Sequence, residues 1–346
     1  MNQKIKYLFL VLNIALIVAT VLAYISPVTH PGANRIPGIL GLFFPVLFFL
    51  NLFVILFWLS FGKWFAILSM ICLIAGHQRI RNFMQLGIHQ SEPEEQILRV
   101  ATYNVFSFHK VSKTERKVKR VFDEIVKEMG TPDLICLQES VYIGWHNQKP
   151  EHYPHVFLVP GSGTVLLSKF PIAGSGQIKF DELQSLSGWV DIVIRKDTIR
   201  LYGLHLMSNR ITEETEQLIE EGKIRDGKTW VIAGGLIKKY SAASARRASQ
   251  ADLIREKINE SPYPALVIGD FNDTPQSYAY AALRGGHLKD SFVERGSGIG
   301  TTYGGSIPGL RIDYVLADTS FTITHHNVLK MPYSDHYAVV AECVLR

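Results

Sequence analysis

The sequence predicts an α/β domain, with mixed β-sheets packed face to face and helices outside, carried behind an N-terminal helical membrane anchor. Three observations predict it. The first 90 residues contain long apolar runs and no Asp or Glu. From Ile97 onward, strand-like and helix-like runs alternate, with more strands than helices. Polar residues with useful chemistry recur where the apolar runs end. A length of 346 residues suits one large domain plus an accessory segment.

The anchor is assigned to residues 1–81. Tyr7–Ser26 is a 20-residue stretch broken only by Asn13 and small polar residues, and Pro37–Phe61 is 25 residues without a charge. About 20 apolar residues cross a bilayer core as a helix. Trp64–Ala75 adds 12 apolar residues, with His77 and Arg79 beyond. It reads as a short span, a re-entrant turn or an interfacial helix. The expected spans are therefore about 7–26 and 37–61, with 64–80 as a third. No small-x-small cleavage site precedes Pro27, which argues for a retained anchor rather than a signal peptide. Lys4 and Lys6 favour a cytoplasmic N-terminus, and Lys63 fits the same side after two crossings. A third crossing then puts the remainder outside, against the opposing signal of Arg79 and Arg81. The expectation is three spans and an extracytoplasmic domain.

The net charge of +5 divides unevenly. Six basic residues lie in 1–90, which leaves 30 basic against 31 acidic residues in the rest. Nothing global marks the rest as a nucleic-acid binder, which usually carries a basic footprint. Cys72, Cys136 and Cys343 lie far apart in apolar runs, without zinc spacing, and read as buried free thiols.

Residues 82–96 are polar, end in "SEPEEQ" and read as a linker ahead of a domain at 97–346. "ILRVATYNV" is a strand ending at Asn104. In 113–129 the apolar residues keep helical spacing, and Gly130 suits the C-cap. "DLICLQE" is a buried strand ending at Glu139, and "GTVLLSKFPI" another closed by Pro171. "WVDIVIR" and "IRLYGLHL" form an antiparallel pair about the Lys196-Asp197 turn. Residues 241–259 are a helix. "ALVIGD", "RIDYVLA" and "HYAVVAECVL" supply further strands.

The strand ends present Asn104, Glu139, His205, Asp270, Asn272, Asp313, Asp335 and His336. Singly, each has a structural explanation: a turn for Asn104, a helix cap for Glu139, a hydrogen-bonded core histidine for His205, a buried ion pair with Arg311 for Asp313. Jointly they suit hydrolysis of a phosphate ester, which needs stabilised phosphate oxygens, an aimed water and help for the leaving oxygen. A hard cation such as Mg²⁺ takes one or two carboxylates and keeps its waters. Glu139 is the leading ligand, with Asn104 as a neutral oxygen beside it and Asp335 completing the set. His336 and Asp313 suit a histidine–carboxylate pair. Asp270 and Asn272, spaced i and i+2, share one side if strand geometry persists, so a carboxylate for water and an amide for a phosphate oxygen would meet at one spot.

"TYNV", "LQES", "LLSKFPI", "GLHL", "GDFNDTP", "RIDYVL" and "SDHYAVV" stand in the order found in the endonuclease/exonuclease/phosphatase family. Residues 98–346 resemble its deoxyribonuclease-I-like domain. The resemblance implies a four-layer α/β sandwich and a divalent-metal phosphoesterase using Mg²⁺ or Mn²⁺. It implies metal-site roles for Asn104 and Glu139, a scissile-phosphate contact for His205, and water activation by Asp270 with Asn272 as its amide neighbour. It also implies an acid–histidine pair of Asp313 and His336, with Asp335 adjacent. Some relatives, abasic-site nucleases among them, carry a carboxylate where this chain has Phe106. That departure points away from a second metal and from an abasic-site activity. The anchored arrangement resembles a bacterial subgroup of the family, of which "GGLIKKYSAASARRASQ" and "GIGTTYGG" look characteristic. Arg246 and Arg247 in the first are read as a solvated face or, alternatively, as substrate phosphate contacts. "GSGIGTTYGG" lacks Walker spacing and reads as a substrate-side loop. The leading expectation is a membrane-tethered phosphodiesterase or phosphatase acting on a phosphate ester, with a phospholipid head group attractive. A tethered nuclease on DNA or RNA and a catalytically silent binding module are the alternatives.

Overall fold

A computed structural model describes residues 2–87, 97–109, 115–140, 150–180, 187–209, 229–305 and 309–346. The N-terminal segment contains helices α1 (Gln3–Tyr24), α2 (Arg35–Leu42), α3 (Phe44–Ser60), α4 (Ala66–Ala75) and α5 (His77–Phe83), followed by the short strand β1 (Gln85–Leu86). The rest of the chain runs β2 (Leu98–Asn104), α6 (Glu115–Glu128), β3 (Leu134–Gln138), β4 (His155–Leu158), β5 (Val165–Ser168), β6 (Ile172–Ile178), β7 (Ser187–Ile194) and β8 (Asp197–His205). It continues with α7 (Thr229–Asn259), β9 (Ala265–Asp270), α8 (Tyr278–Arg284), β10 (Leu288–Asp290), α9 (Ser291–Arg295), β11 (Ser297–Gly298), β12 (Asp313–Asp318), β13 (Phe321–Leu329) and β14 (Ala338–Leu345).

Two six-stranded mixed sheets form the centre, in the orders β13-β14-β2-β3-β5-β4 and β10-β12-β9-β8-β7-β6. Both faces of the inner strands are buried, which is why they read as unbroken apolar runs. Along β2, Val100 points between the sheets with Cys136, Leu201 and Ile268. Its neighbours Ala101 and Tyr103 point the other way, onto Val118, Phe122 and Ile125 of α6. The second sheet's outer face packs on Ala251, Ile254 and Ile258 of α7 and on Tyr280 of α8. The result is the expected four-layer α/β sandwich. β7 and β8 pair antiparallel as expected. Gly130, at φ +74°, follows α6 as its stop. All three cysteines are buried and free.

The N-terminal helices form a small bundle. α3 runs back along α1: Phe57 stacks on Phe9 near one end, and Phe44 meets Tyr24 near the other. α4 returns in the direction of α1, from Phe65 beneath Lys6 to Cys72, whose carbonyl accepts from Tyr24 Oη at 3.0 Å. Asn51 donates to Thr20 at 2.9 Å, and Ser69 donates to Asn13 at 2.8 Å.

Four expectations are corrected here. The stretch 37–61 is not one helix: it breaks at Phe43, and α2 and α3 are bent by 67°. Pro45 causes the break, because it lacks an N–H and its ring excludes the preceding turn, so it starts a new helix instead. Gln3–Val28 is the one helical stretch long and apolar enough by itself to cross a membrane among the described residues; the bent pair is a second if taken together. The expected 64–80 span is not continuous: it is helical over Ala66–Ala75, breaks at Gly76, where Tyr24 leaves no room for a side chain, and resumes as α5. The 82–96 linker is also shorter than expected. Asn82 and Phe83 are buried and β1 pairs with β11, while 88–96 lie outside the described residues. Finally, α7 starts at Thr229, well before residue 241.

Candidate active site

Each sheet has one parallel strand pair, β2 with β3 and β8 with β9. The carboxyl ends of both pairs open at one end of the sandwich. Asn104 ends β2, and Glu139 follows β3 directly. His205 ends β8 opposite Asp270, which ends β9. Asp313 begins β12 opposite Asp270 on its other side. His336 lies two residues ahead of β14, bridged to Tyr303.

The side chains converge. Asn104 Nδ2 stands 3.1 Å from both Glu139 Oε1 and Asp270 Oδ2. His205 Nε2 lies 3.7 Å from Glu139 and 3.8 Å from Asp270. His336 Nδ1 meets Asp313 Oδ2 at 3.0 Å, and its Nε2 lies 3.9 Å from Asp270. Asp270 and Asp313 are buried, while Glu139 and His205 stand at the mouth with side chains 32% and 22% exposed. Asp335, beside His336, is half-buried and accepts from Ser334. It makes no hydrogen bond or ion pair with Glu139 or Asn104 among the described residues.

The electrostatics favour a charged His336. Burial pushes its imidazole down, but the Asp313 and Asp270 carboxylates outweigh burial and raise it well above the ordinary histidine range. Burial raises Asp313, and the like charge of Asp270 adds to this against the pull of His336. The pair is therefore an imidazolium hydrogen-bonded to a carboxylate.

Two expectations change in detail. Strand geometry does not persist through Asn272. That residue turns to φ +53°, and its N–H bonds back to Asp270 Oδ1 at 2.8 Å, an Asx turn. Its amide nitrogen faces Leu206 O at 3.0 Å and Asp270 Oδ2 at 3.2 Å, so the amide holds the carboxylate. Asn104 turns its oxygen to the N–H of Phe106 and its nitrogen to the carboxylates, so as placed it is a donor bridging them rather than a neutral oxygen beside Glu139.

The arginine expectation is corrected more fully. Arg247 is fully buried and is no solvated face. Its Nε pairs with Asp273 at 2.9 Å, and Nη1 donates to Met207 O and Asn209. It braces the loop after Asp270. Arg246 is exposed and lines a separate cleft of about 720 Å³ with His30, Met207 and Ser249.

Several supporting residues had little sequence signal. Glu139 sits at φ +53°, and a side chain on Gly163 would come within 2.9 Å of its Cα. Thr302 Oγ1 accepts from the N–H groups of Ile312 and Asp313, and Ser334 Oγ donates to Asn104 O. The "GTTYGG" segment thus braces Asp313 and His336 from behind, where a substrate-side loop was expected.

These carboxylates fit a divalent cation. Glu139, Asp270 and Asp313 form ion pairs only with His205 and His336 among the described residues. Two buried carboxylates beside one imidazolium, with Glu139 adding a third at the mouth, leave an excess of negative charge that a further cation would offset. Asp270, Asp313 and His336 place potential ligand atoms within 4.8 Å of one another, with His336 a ligand only in its neutral form. This is a different trio from Asn104, Glu139 and Asp335.

A four-layer α/β sandwich with an acid–histidine centre at its strand ends is the architecture of a phosphoester hydrolase. Comparison with known proteins agrees. The Endonuclease/Exonuclease/phosphatase family model matches residues 101–336, and a domain of unknown function matches 6–83. The chain belongs to the Endonuclease/Exonuclease/phosphatase family, whose members hydrolyse phosphoesters. Among solved structures it is similar to humanized D. rerio TDP2, at 17% identity over 72% of this chain and 99% of that chain, TM-score 0.54. It is similar to a family protein from Bacteroides thetaiotaomicron, at 17% identity over 73% and 100%, TM-score 0.53. The mannosyl-6-phosphatase of the same organism gives 18% identity over 72% and 100%, TM-score 0.52. No curated protein matches the sequence.

Proposed function

We propose that the chain is a membrane-anchored, divalent-metal-dependent phosphoesterase whose substrate is a phosphate ester at the bilayer surface. The observation that carries this is the convergence of Asn104, Glu139, His205, Asp270, Asp313 and His336, from separate parts of the chain, at one end of the sandwich. In this reading Glu139 at the mouth would hold Mg²⁺, with the buried Asn104 amide fixing its carboxylate. The cation supplies charge neutralisation at the phosphate oxygens. Asp270 orients or deprotonates the attacking water, and Asn272 fixes the carboxylate that does so. His205 and the His336 imidazolium offer positive charge to the phosphoryl oxygens, with Asp313 fixing the orientation of the His336 ring.

The anchor reading rests on the bundle. α1, α3 and α4 present exposed Leu, Ile, Val and Phe side chains outward, while Asn13–Ser69 and Asn51–Thr20 pair inward. Lys4, Lys6 and Lys63 gather at the end remote from the sandwich, which supports a cytoplasmic position for that end and an extracytoplasmic sandwich. A lipid-type or other small phosphoester fits the near-balanced charge of residues 91–346 better than a long polyanion does.

The test is detergent-purified full-length protein with Mg²⁺, assayed against phospholipids, DNA, RNA and sugar phosphates in parallel. Turnover of lipid or small phosphoesters supports the proposal. Turnover restricted to nucleic acid, with binding that falls steeply with salt, would replace the substrate assignment with a nuclease. A total absence of turnover would leave a binding module.

A further inference from the structure

The N-terminal helices do not merely precede the sandwich; they sit on the two chain segments that carry its buried carboxylates. Downstream of Asp270, Gln276 donates Nε2 to the Arg79 carbonyl at 2.9 Å. Upstream of Asp313, Arg311 donates Nη2 to the Asn82 carbonyl at 2.8 Å, while its Nη1 pairs with Asp290 at 2.8 Å. Both acceptors lie on α5. The two segments are also tied to each other, because Tyr314 Oη lies 2.8 Å from Asp273 O and 2.7 Å from Arg311 O. Gly41, Phe44 and Phe83 close over Pro275, Gln276 and Leu310, leaving a pocket of only about 10 Å³ between them. That is room for about one water between the two surfaces.

We propose that this joint is a positioning device: α2 and α5 fix the loops that aim Asp270 and Asp313, with Gln276 and Arg311 as positioning residues. The proposal rests on the phosphoesterase reading. A plain tether needs length but no backbone contacts to active-site loops. Here the strand ends bearing Asp270 and Asp313 lie side by side in β9 and β12, and the chain leaving each is held by the same helix pair. Displacements of about 1 Å at reacting groups cost on the order of a hundredfold in rate, so a close-packed joint would act on turnover without touching substrate.

The experiment compares full-length wild type, Gly41→Val and Gln276→Leu in detergent, with Mg²⁺ and bis(p-nitrophenyl) phosphate. At Gly41 even a Cβ would lie 2.7 Å from Ser26 Oγ and 3.2 Å from the Gln276 carbonyl, so Val wedges the seam. Gln276→Leu removes the donor to Arg79, and the Oε1 it also removes has no hydrogen-bond partner, so a single hydrogen bond is lost, and circular dichroism beside the kinetics confirms that the variant is folded. The expected result is kcat lower by roughly tenfold or more with KM within about twofold, a loss specific to the transition state. Amide exchange at Phe271 and Asn272 should accelerate by a similar factor. Wild-type kcat and exchange in both variants, or a loss confined to KM, would overturn the proposal. If Gly41→Val does not accumulate, Gln276→Leu decides. If wild type itself turns over no phosphoester, the functional reading fails and the exchange rates alone decide the joint.

Discussion

Glu139 is held at φ +53°, a backbone state that costs a non-glycine residue of order 1 kcal/mol or more. The neighbouring Gly163 leaves the space for it. Expense of this kind at a strand end is typical of residues kept for chemistry. The identities of the converging residues were legible in the sequence because each interrupts or ends an apolar run. Their supports, Gly163, Thr302 and Ser334, were not, because contact across 10 to 230 positions leaves no local pattern. Asp270→Asn and His336→Ala are each expected to lower kcat by about 10²–10⁴; Asp270→Asn should leave the unfolding transition near that of wild type, whereas His336→Ala should also lower it because it strands the buried Asp313 carboxylate, as read by steady-state kinetics beside circular dichroism. A separate residue-scale prediction concerns His326. Burial lowers its imidazole to about 4, with Nδ1 against Ser291. The folded state therefore favours neutral imidazole. The associated stability is complete above about pH 6.5 and is lost as pH falls through about 4, at about 1.4 kcal/mol per pH unit at most. Chemical denaturation at pH 7 and pH 4.5 should show the loss, and His326→Leu should reduce it.

At the scale of elements, strands buried on both faces were readable, and so was the β7–β8 hairpin. β13 was missed because "FTITHHNVL" belongs to an edge strand with polar residues on its open side. The break before α3 was signalled by Pro45, but uniform apolarity on both sides masked it. Arg247 shows the limit of reading a helix face by charge. The same helix carries exposed Arg246 and fully buried Arg247, and only the Asp273 carboxylate from another element explains the second. Arg247→Ala is expected to cost about 3–5 kcal/mol, because it strands a buried carboxylate. The measurement is urea unfolding. Loss of activity in proportion to loss of folded protein is the expected pattern, whereas a KM increase at full stability would mark Arg247 as a substrate contact.

At the scale of the whole molecule, the sandwich was legible from strand alternation and motif order. The way the helices sit on it was not, since backbone carbonyls of Arg79 and Asn82 make the contacts and carbonyls have no sequence identity. The arrangement predicts sidedness. With the native thiols buried, Lys63→Cys and Lys196→Cys report the two ends of the molecule. In intact cells an impermeant maleimide should label position 196, and position 63 only after permeabilisation. The reverse pattern would place the sandwich in the cytoplasm. The most direct test of the central claim is phosphoester hydrolysis by the purified full-length chain before and after chelation. EDTA should abolish turnover and added Mg²⁺ should restore it in wild type but not in Glu139→Gln. Turnover that continues unchanged in EDTA would contradict a cation-loaded centre built on these carboxylates.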